Sequence, residues 1–207
     1  PGCAYAFASG FPSERAFKLG FKLGLYAEAG RMMELRWAPL PAQHHFGWAC
    51  TPLQAIRLTD LDVLWRRMQR DWPDLYLPVR DAERWRYRYL QHPTQSYVVL
   101  VLRQCFTGRP LAAMALREHA THCEWLDYVG PHQGIERAVL AVREWAGTKG
   151  KPVTALVSDS VAALFSAQAE SVHPSQIQIP VNASPGQATV PPWAGRFWFM
   201  GGDTDFL

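Results

Sequence analysis

The sequence predicts an α+β fold: a mixed, mostly antiparallel sheet with a central βαβ crossover and flanking helices. Three observations carry this. Two helix-period segments, ending near Trp72 and Leu90, precede three apolar runs of strand length joined by short polar turns. Loops that short join antiparallel neighbours, so the runs form a meander. The pattern then switches to helix, strand, helix between Gly134 and Ala169, the order of a crossover.

The elements follow in order. Ala4 to Ala8 is an apolar run read as a strand. Pro12 turns the chain, Ser13 caps a helix and Gly24 stops it. Met32 to Trp37 is a short strand. Ala38 to Thr51 holds two prolines, adjacent histidines His44 and His45, and Gly47, the composition of a linker. Thr59 is placed to cap a helix whose buried stripe is Leu61, Leu64, Trp65, Met68 and Trp72. A second helix runs from Asp81 to Leu90, with Trp85 and Tyr89 one turn apart. The meander is Tyr97–Arg103, Leu111–Glu118 and Cys123–Val129. Gly134 to Gly150 is helical, Val153 to Val157 is a buried strand, and Ser158 or Ser160 caps a helix through Ala169. Gln176–Val181 and Arg196–Met200 read as strands separated by a Pro- and Gly-rich loop.

Composition excludes several classes. The chain has 207 residues, 48% apolar and 19% charged, which fits an ordered protein with a sizeable core. Net charge is +3, too weak by itself to imply nucleic acid. Eight arginines lie between Arg57 and Arg88; they are read as solvated helix faces, or as a rim that attracts phosphates. Four cysteines are widely spaced without a C-x-x-C pair, so neither a zinc motif nor a disulfide framework is expected. The longest apolar run, Tyr97 to Leu102, is far too short to span a bilayer.

The segment GFPSERAFKLGFKLGL, Gly10 to Leu25, resembles the closing strand and helix of GNAT-type acyl-CoA N-acyltransferases. Their helix commonly reads Asn-x-x-Ala-x-x-Leu-Tyr-x-Lys-x-Gly-Phe; here the spacing carries Ser13, Ala16, Leu19, Gly20, Lys22, Gly24 and Leu25. RDAERWRYRYLQHP and RFWFMGGDTDF are similar to parts of the C-terminal domains of tandem GNAT-like proteins. The resemblance implies a GNAT-like fold in two portions: residues 1–50 as the C-terminal remnant of a first GNAT-like domain plus linker, and 51–207 as a second such domain. It implies transfer of an acyl group from acetyl-CoA or another acyl-CoA to an amine, with this chain as the C-terminal portion. The alternative is a catalytically silent module that shapes a substrate cleft or binds a partner. Expected partners are a small-molecule amine or acyl acceptor and, through the exposed half-domain, another copy. No nucleic acid or membrane partner is expected, and the compartment is cytoplasmic.

The resemblance also directs attention to a coenzyme turn. The family pattern Gln/Arg-x-x-Gly-x-Gly/Ala falls on DYVGPHQGI, where Asp127, Tyr128, Val129, Gly130, Gly134 and Ile135 become the candidate coenzyme-binding residues. A helix start is an anion site because its first amides lack partners. Here the glycine spacing departs from the pattern and Pro131 removes a donor, so an ordinary strand-to-helix turn is the competing reading. Glu124 is the candidate base, against a plain strand carboxylate, and Ser166 stands where the family's acid Tyr would fall. In the N-terminal portion that position is Gly20. His119, His122 and Cys123 are read as turn residues; no metal site is expected.

Overall fold

A computed structural model describes residues 10–52, 58–182 and 193–204. The strand expected at Ala4–Ala8 lies outside them. Helix α1 (Glu14–Lys22) starts at Ser13, whose side chain accepts from the Ala16 amide, and ends before Gly24 at φ +69°. Strands are β1 (Tyr26–Trp37), β2 (Trp48–Pro52), β3 (Val98–Gln104), β4 (Pro110–Glu118), β5 (Cys123–Val129), β6 (Val153–Ser158) and β7 (Ser171–Asn182). The other helices are α2 (Leu58–Asp71), α3 (Ala82–Trp85) continued by a π-helical turn Arg86–Leu90, α4 (Ile135–Gly147) and α5 (Asp159–Phe165).

All seven strands form one sheet in the order β2-β3-β4-β5-β6-β1-β7. It is antiparallel except where β5 and β6 run parallel across the α4 crossover. The expected fold class is therefore observed. β1 pairs on both edges, Met32 opposite Ser158 on β6 and Tyr26 opposite Asn182 on β7, so strand pairing crosses the division expected near residue 50.

Several elements differ locally from expectation. β1 begins six residues before Met32, because two register shifts against β7 break the alternation that marks a strand. β2 lies in the stretch read as a linker; Pro52 is tolerated because β2 pairs only with β3. Thr59 sits inside α2 instead of capping it, and Asp62 accepts from the Ala82 amide at 2.9 Å, tying α2 to α3. α5 ends at Phe165, and Ser158 at its start makes no side-chain cap. Residues 196–200 form isolated bridges, Tyr76 with Phe197 and Val157 with Met200, instead of a ladder strand.

The main core lies between the sheet and the helices. It buries Trp37, Trp85, Trp125 and Trp198 completely or nearly so, together with Leu61, Leu64, Trp65 and Met68 of the predicted stripe; Trp72 follows the end of α2 and is half-buried. Each such large side chain contributes roughly 1.5–3 kcal/mol of transfer free energy. Among the described residues, no helix is long and apolar enough to cross a membrane.

Candidate active site

The site is built on the place where β5 and β6 separate. They pair only at Cys123–Val153, Glu124–Thr154 and Trp125–Ala155. Past Trp125 the two strands diverge and their facing backbone groups need other partners.

The chain itself fills this wedge. Val157, already paired with Met33 on one edge, bridges Met200 on the edge that faces β5. The Ser158 amide donates to the Phe199 carbonyl at 2.9 Å. The Ser158 hydroxyl donates to the Phe197 carbonyl at 2.5 Å and accepts from the Phe199 amide at 3.0 Å. On the β5 side, a Cβ on Gly202 would lie 2.9 Å from the Leu126 carbonyl oxygen, so only glycine passes there. Trp198 is fully buried against Trp72, Tyr128 and Phe165.

A buried charge network locks this segment. Arg80 is 1% exposed and donates to Asp127 at 2.7 Å and to Asp203 at 2.5 Å. Tyr89 donates to the second Asp127 oxygen at 2.9 Å. Two carboxylates share one guanidinium. Burial pushes the Asp203 carboxyl above its ordinary range, with Arg80 opposing, and the carboxylates hold Arg80 charged despite its desolvation.

The turn after β5 is equally self-contained. The Tyr128 hydroxyl donates to the Pro131 carbonyl at 2.6 Å. A Cβ on Gly130 or Gly134 would come within 2.9 and 2.6 Å of that hydroxyl. The two glycines thus make room for Tyr128. The His132 amide, the first donor of the helical turn that leads into α4, donates to the Asp71 carboxylate at 2.7 Å. A carboxylate from α2 stands where an external anion would bind.

The candidate residues are thereby located. Asp127, Tyr128, Val129, Gly130, Gly134 and Ile135 come together in one buried turn. Asp127 is 3% exposed and engaged by Arg80 and Tyr89. Glu124 lies at the paired end of the wedge, where Arg117 (2.8 Å) and His119 (2.9 Å) hold its carboxylate. Ser166 ends α5 and donates to the Ala163 carbonyl at 3.0 Å; no hydrogen bond joins it to Glu124. The ring of Tyr26 lies against Gly20. The imidazoles of His119 and His122 stack at 4.5 Å.

The arginine cluster divides. Arg66, Arg67 and Arg70 line a surface concavity with Arg109. Arg80 is buried in the network, and Arg88, expected on an outer face, turns inward and donates to the Thr204 carbonyl at 2.9 Å. Arg80 gave no signal in the sequence beyond its place among charged neighbours, since a buried pair partner is invisible without the fold.

Comparison with solved structures fixes the architecture. A probable N-acyltransferase from Enterococcus faecalis superposes with a TM-score of 0.59 at 11% identity, over 86% of this chain and 45% of that one. A GCN5-related N-acetyltransferase from Kribbella flavida gives 0.58 at 12% identity, over 86% and 43%. The fold is that of the GCN5-related N-acetyltransferases. Saccharomyces cerevisiae N-myristoyltransferase with bound myristoyl-CoA also superposes, with a TM-score of 0.51 at 9% identity, over 87% of this chain and 55% of that one. The chain spans less than half the length of the first two. No family model matches its sequence. No curated protein matches it either. Likeness at this identity establishes the GNAT fold alone.

Proposed function

We propose that this chain is a catalytically silent GNAT-fold portion of an acyl-CoA-dependent N-acyltransferase, shaping a substrate cleft or holding a partner for a domain that carries the coenzyme. In this reading that preceding domain ends within residues 1–50, while β1 and β2 of the same stretch already pair into the sheet of this portion.

One observation carries the reading: residues 197–203 occupy the wedge between β5 and β6. In a GNAT fold, a coenzyme arm entering there needs free backbone groups on both strands. Here Met200 pairs with Val157, and Gly202 abuts the Leu126 carbonyl. The Asp71 carboxylate on the His132 amide adds charge repulsion against a pyrophosphate.

Calorimetric titration of the chain with acetyl-CoA tests this. Absence of saturable heat at millimolar coenzyme is the expected result. Micromolar binding would instead make this portion a coenzyme carrier and Glu124 its candidate base.

A further inference from the structure

A second cavity lies far along the sheet from the wedge, between the loop 38–47, the edge strand β2 and helix α4. It is open to solvent on one side and has a volume of about 310 Å³. The loop is strapped to α4: Arg143 donates to the Ala38 carbonyl at 2.9 Å, and the Leu40 amide donates to the Arg143 carbonyl at 3.1 Å. His45 closes the strap. Its Nε2 lies 2.6 Å from Glu144 Oε1, and its ring stacks on Trp48 at 3.9 Å. The cavity is therefore walled by fixed groups on three elements.

Its chemistry is specific. Glu144 is only 9% exposed, and a carboxylate is rarely buried without compensation. His45 engages Oε1; Oε2 has no hydrogen-bond donor among the described residues and is not sealed from solvent, so it is open to a ligand, and a carboxylate can accept about four hydrogen bonds. Trp48 and Trp145 add two indoles to the lining, and Leu100 and Pro52 add apolar wall. Lys149 places its ammonium 5.9 Å over the Trp145 ring, so that indole already attracts a cation. Cys50, which also lines the cavity, has its thiol pushed up to about 12 by burial and by the Glu144 charge, so it stays neutral. The Thr148 hydroxyl gives its proton to the Trp145 carbonyl, leaving its oxygen as an acceptor. The lining thus offers a carboxylate, an acceptor hydroxyl and two indoles, of which Trp48 gives one face to His45 and Trp145 gives one to Lys149, leaving the opposite faces for a ligand.

We propose that this cavity is a binding site for a small organic cation, an ammonium group carried on a short apolar arm. The ammonium takes the open Glu144 oxygen and an indole face, and the arm lies on Leu100 and Pro52. The volume is at the lower end for ligand sites and suits a compact molecule; it is too small for an acyl-CoA. This site is independent of the reading of the wedge.

The test is calorimetry on the full chain with choline and with its neutral isostere 3,3-dimethylbutan-1-ol. Saturable choline binding is expected, with the isostere at least about tenfold weaker, because charge and cation–π attraction are both lost. Glu144→Gln, which keeps the shape and an acceptor for His45, should weaken choline by a similar factor. No saturable choline binding, equal affinity for the isostere, or unchanged affinity in Glu144→Gln would each overturn the proposal. If Glu144→Gln fails to fold, Trp145→Leu decides: weaker choline binding supports the site, and unchanged binding sinks it.

Discussion

The Tyr128 hydroxyl donates to the Pro131 carbonyl across the very turn where two glycines approach it, at 2.6 Å. This phenol is fully buried, and burial pushes it far above its ordinary range, so it remains a donor at any accessible pH. Gly130 and Gly134 are shaped around a protein group instead of a ligand.

A pair of substitutions tests that coupling. Gly134→Ala places a methyl against the Tyr128 hydroxyl and should destabilise the fold by about 1–3 kcal/mol through overpacking. Tyr128→Phe alone strands the Pro131 carbonyl and should cost on the order of 1–3 kcal/mol. In the double variant the clash with the hydroxyl is gone, so the costs should sum to less than the two singles. The Leu111 carbonyl, 3.0 Å from the same Cβ, keeps the relief partial. Urea unfolding of the four proteins measures this, and strict additivity would show that the turn does not close on Tyr128.

The network of Arg80, Asp127 and Asp203 sets a pH dependence. Burial raises the folded-state pKa of Asp203 above its ordinary value. The folded state therefore holds the proton more tightly than the unfolded chain. That contribution is complete below the ordinary carboxylate range and is lost as pH rises through the raised value. Asp203→Asn removes the titration and leaves a constant offset from the altered contact with Arg80. Unfolding free energies measured from pH 3.5 upward, a span of about 3 units, should show the wild-type advantage over Asp203→Asn shrinking with pH. An advantage that grows across that span would place the proton elsewhere.

Thiol chemistry separates the cysteines. Cys105 is exposed, Cys50 half-buried and Cys123 buried. With its thiol near 12, Cys50 carries about one thiolate in ten thousand at pH 8. Cys123 is also raised, chiefly by burial. Iodoacetamide at pH 8 should label Cys105 quickly and leave Cys50 and Cys123 intact until denaturant is added, as peptide mass mapping would record. Rapid labelling of Cys50 in the folded chain would mean that the loop 38–47 does not hold against α4.

Much of this architecture was legible in the residues. Ser13 and Gly24 bracket α1 because a cap and a left-handed stop act locally. The meander follows from apolar runs and polar turns, and β5 was located to the residue. The distant pairings were not legible. Nothing near Tyr26–Trp37 announces that it will lie between β6 and β7, since that choice is made by partners more than a hundred residues away. Arg196–Met200 reads as a strand by composition, yet it makes only single bridges, to Tyr76 and to Val157, and those partners are set by the tertiary fold. Asp127 illustrates the same limit. Its place on the coenzyme turn was found by pattern, but its engagement depends on Arg80, forty-seven residues earlier. His44-His45 was read as linker chemistry, and only Glu144 across the cavity gives His45 a role.

The position of β1 has a consequence for how the chain is assembled. Its hydrogen-bonding edges stay open during synthesis until residues 153–182 emerge, whereas the β3–β4–β5 meander closes on near neighbours. Long-range pairing of this kind is slow, since a large loop must close before any contact rewards it. A ribosome-bound intermediate would thus carry a finished meander beside an amphipathic ribbon still awaiting its two companions. That ribbon is the segment most in need of shielding by a chaperone.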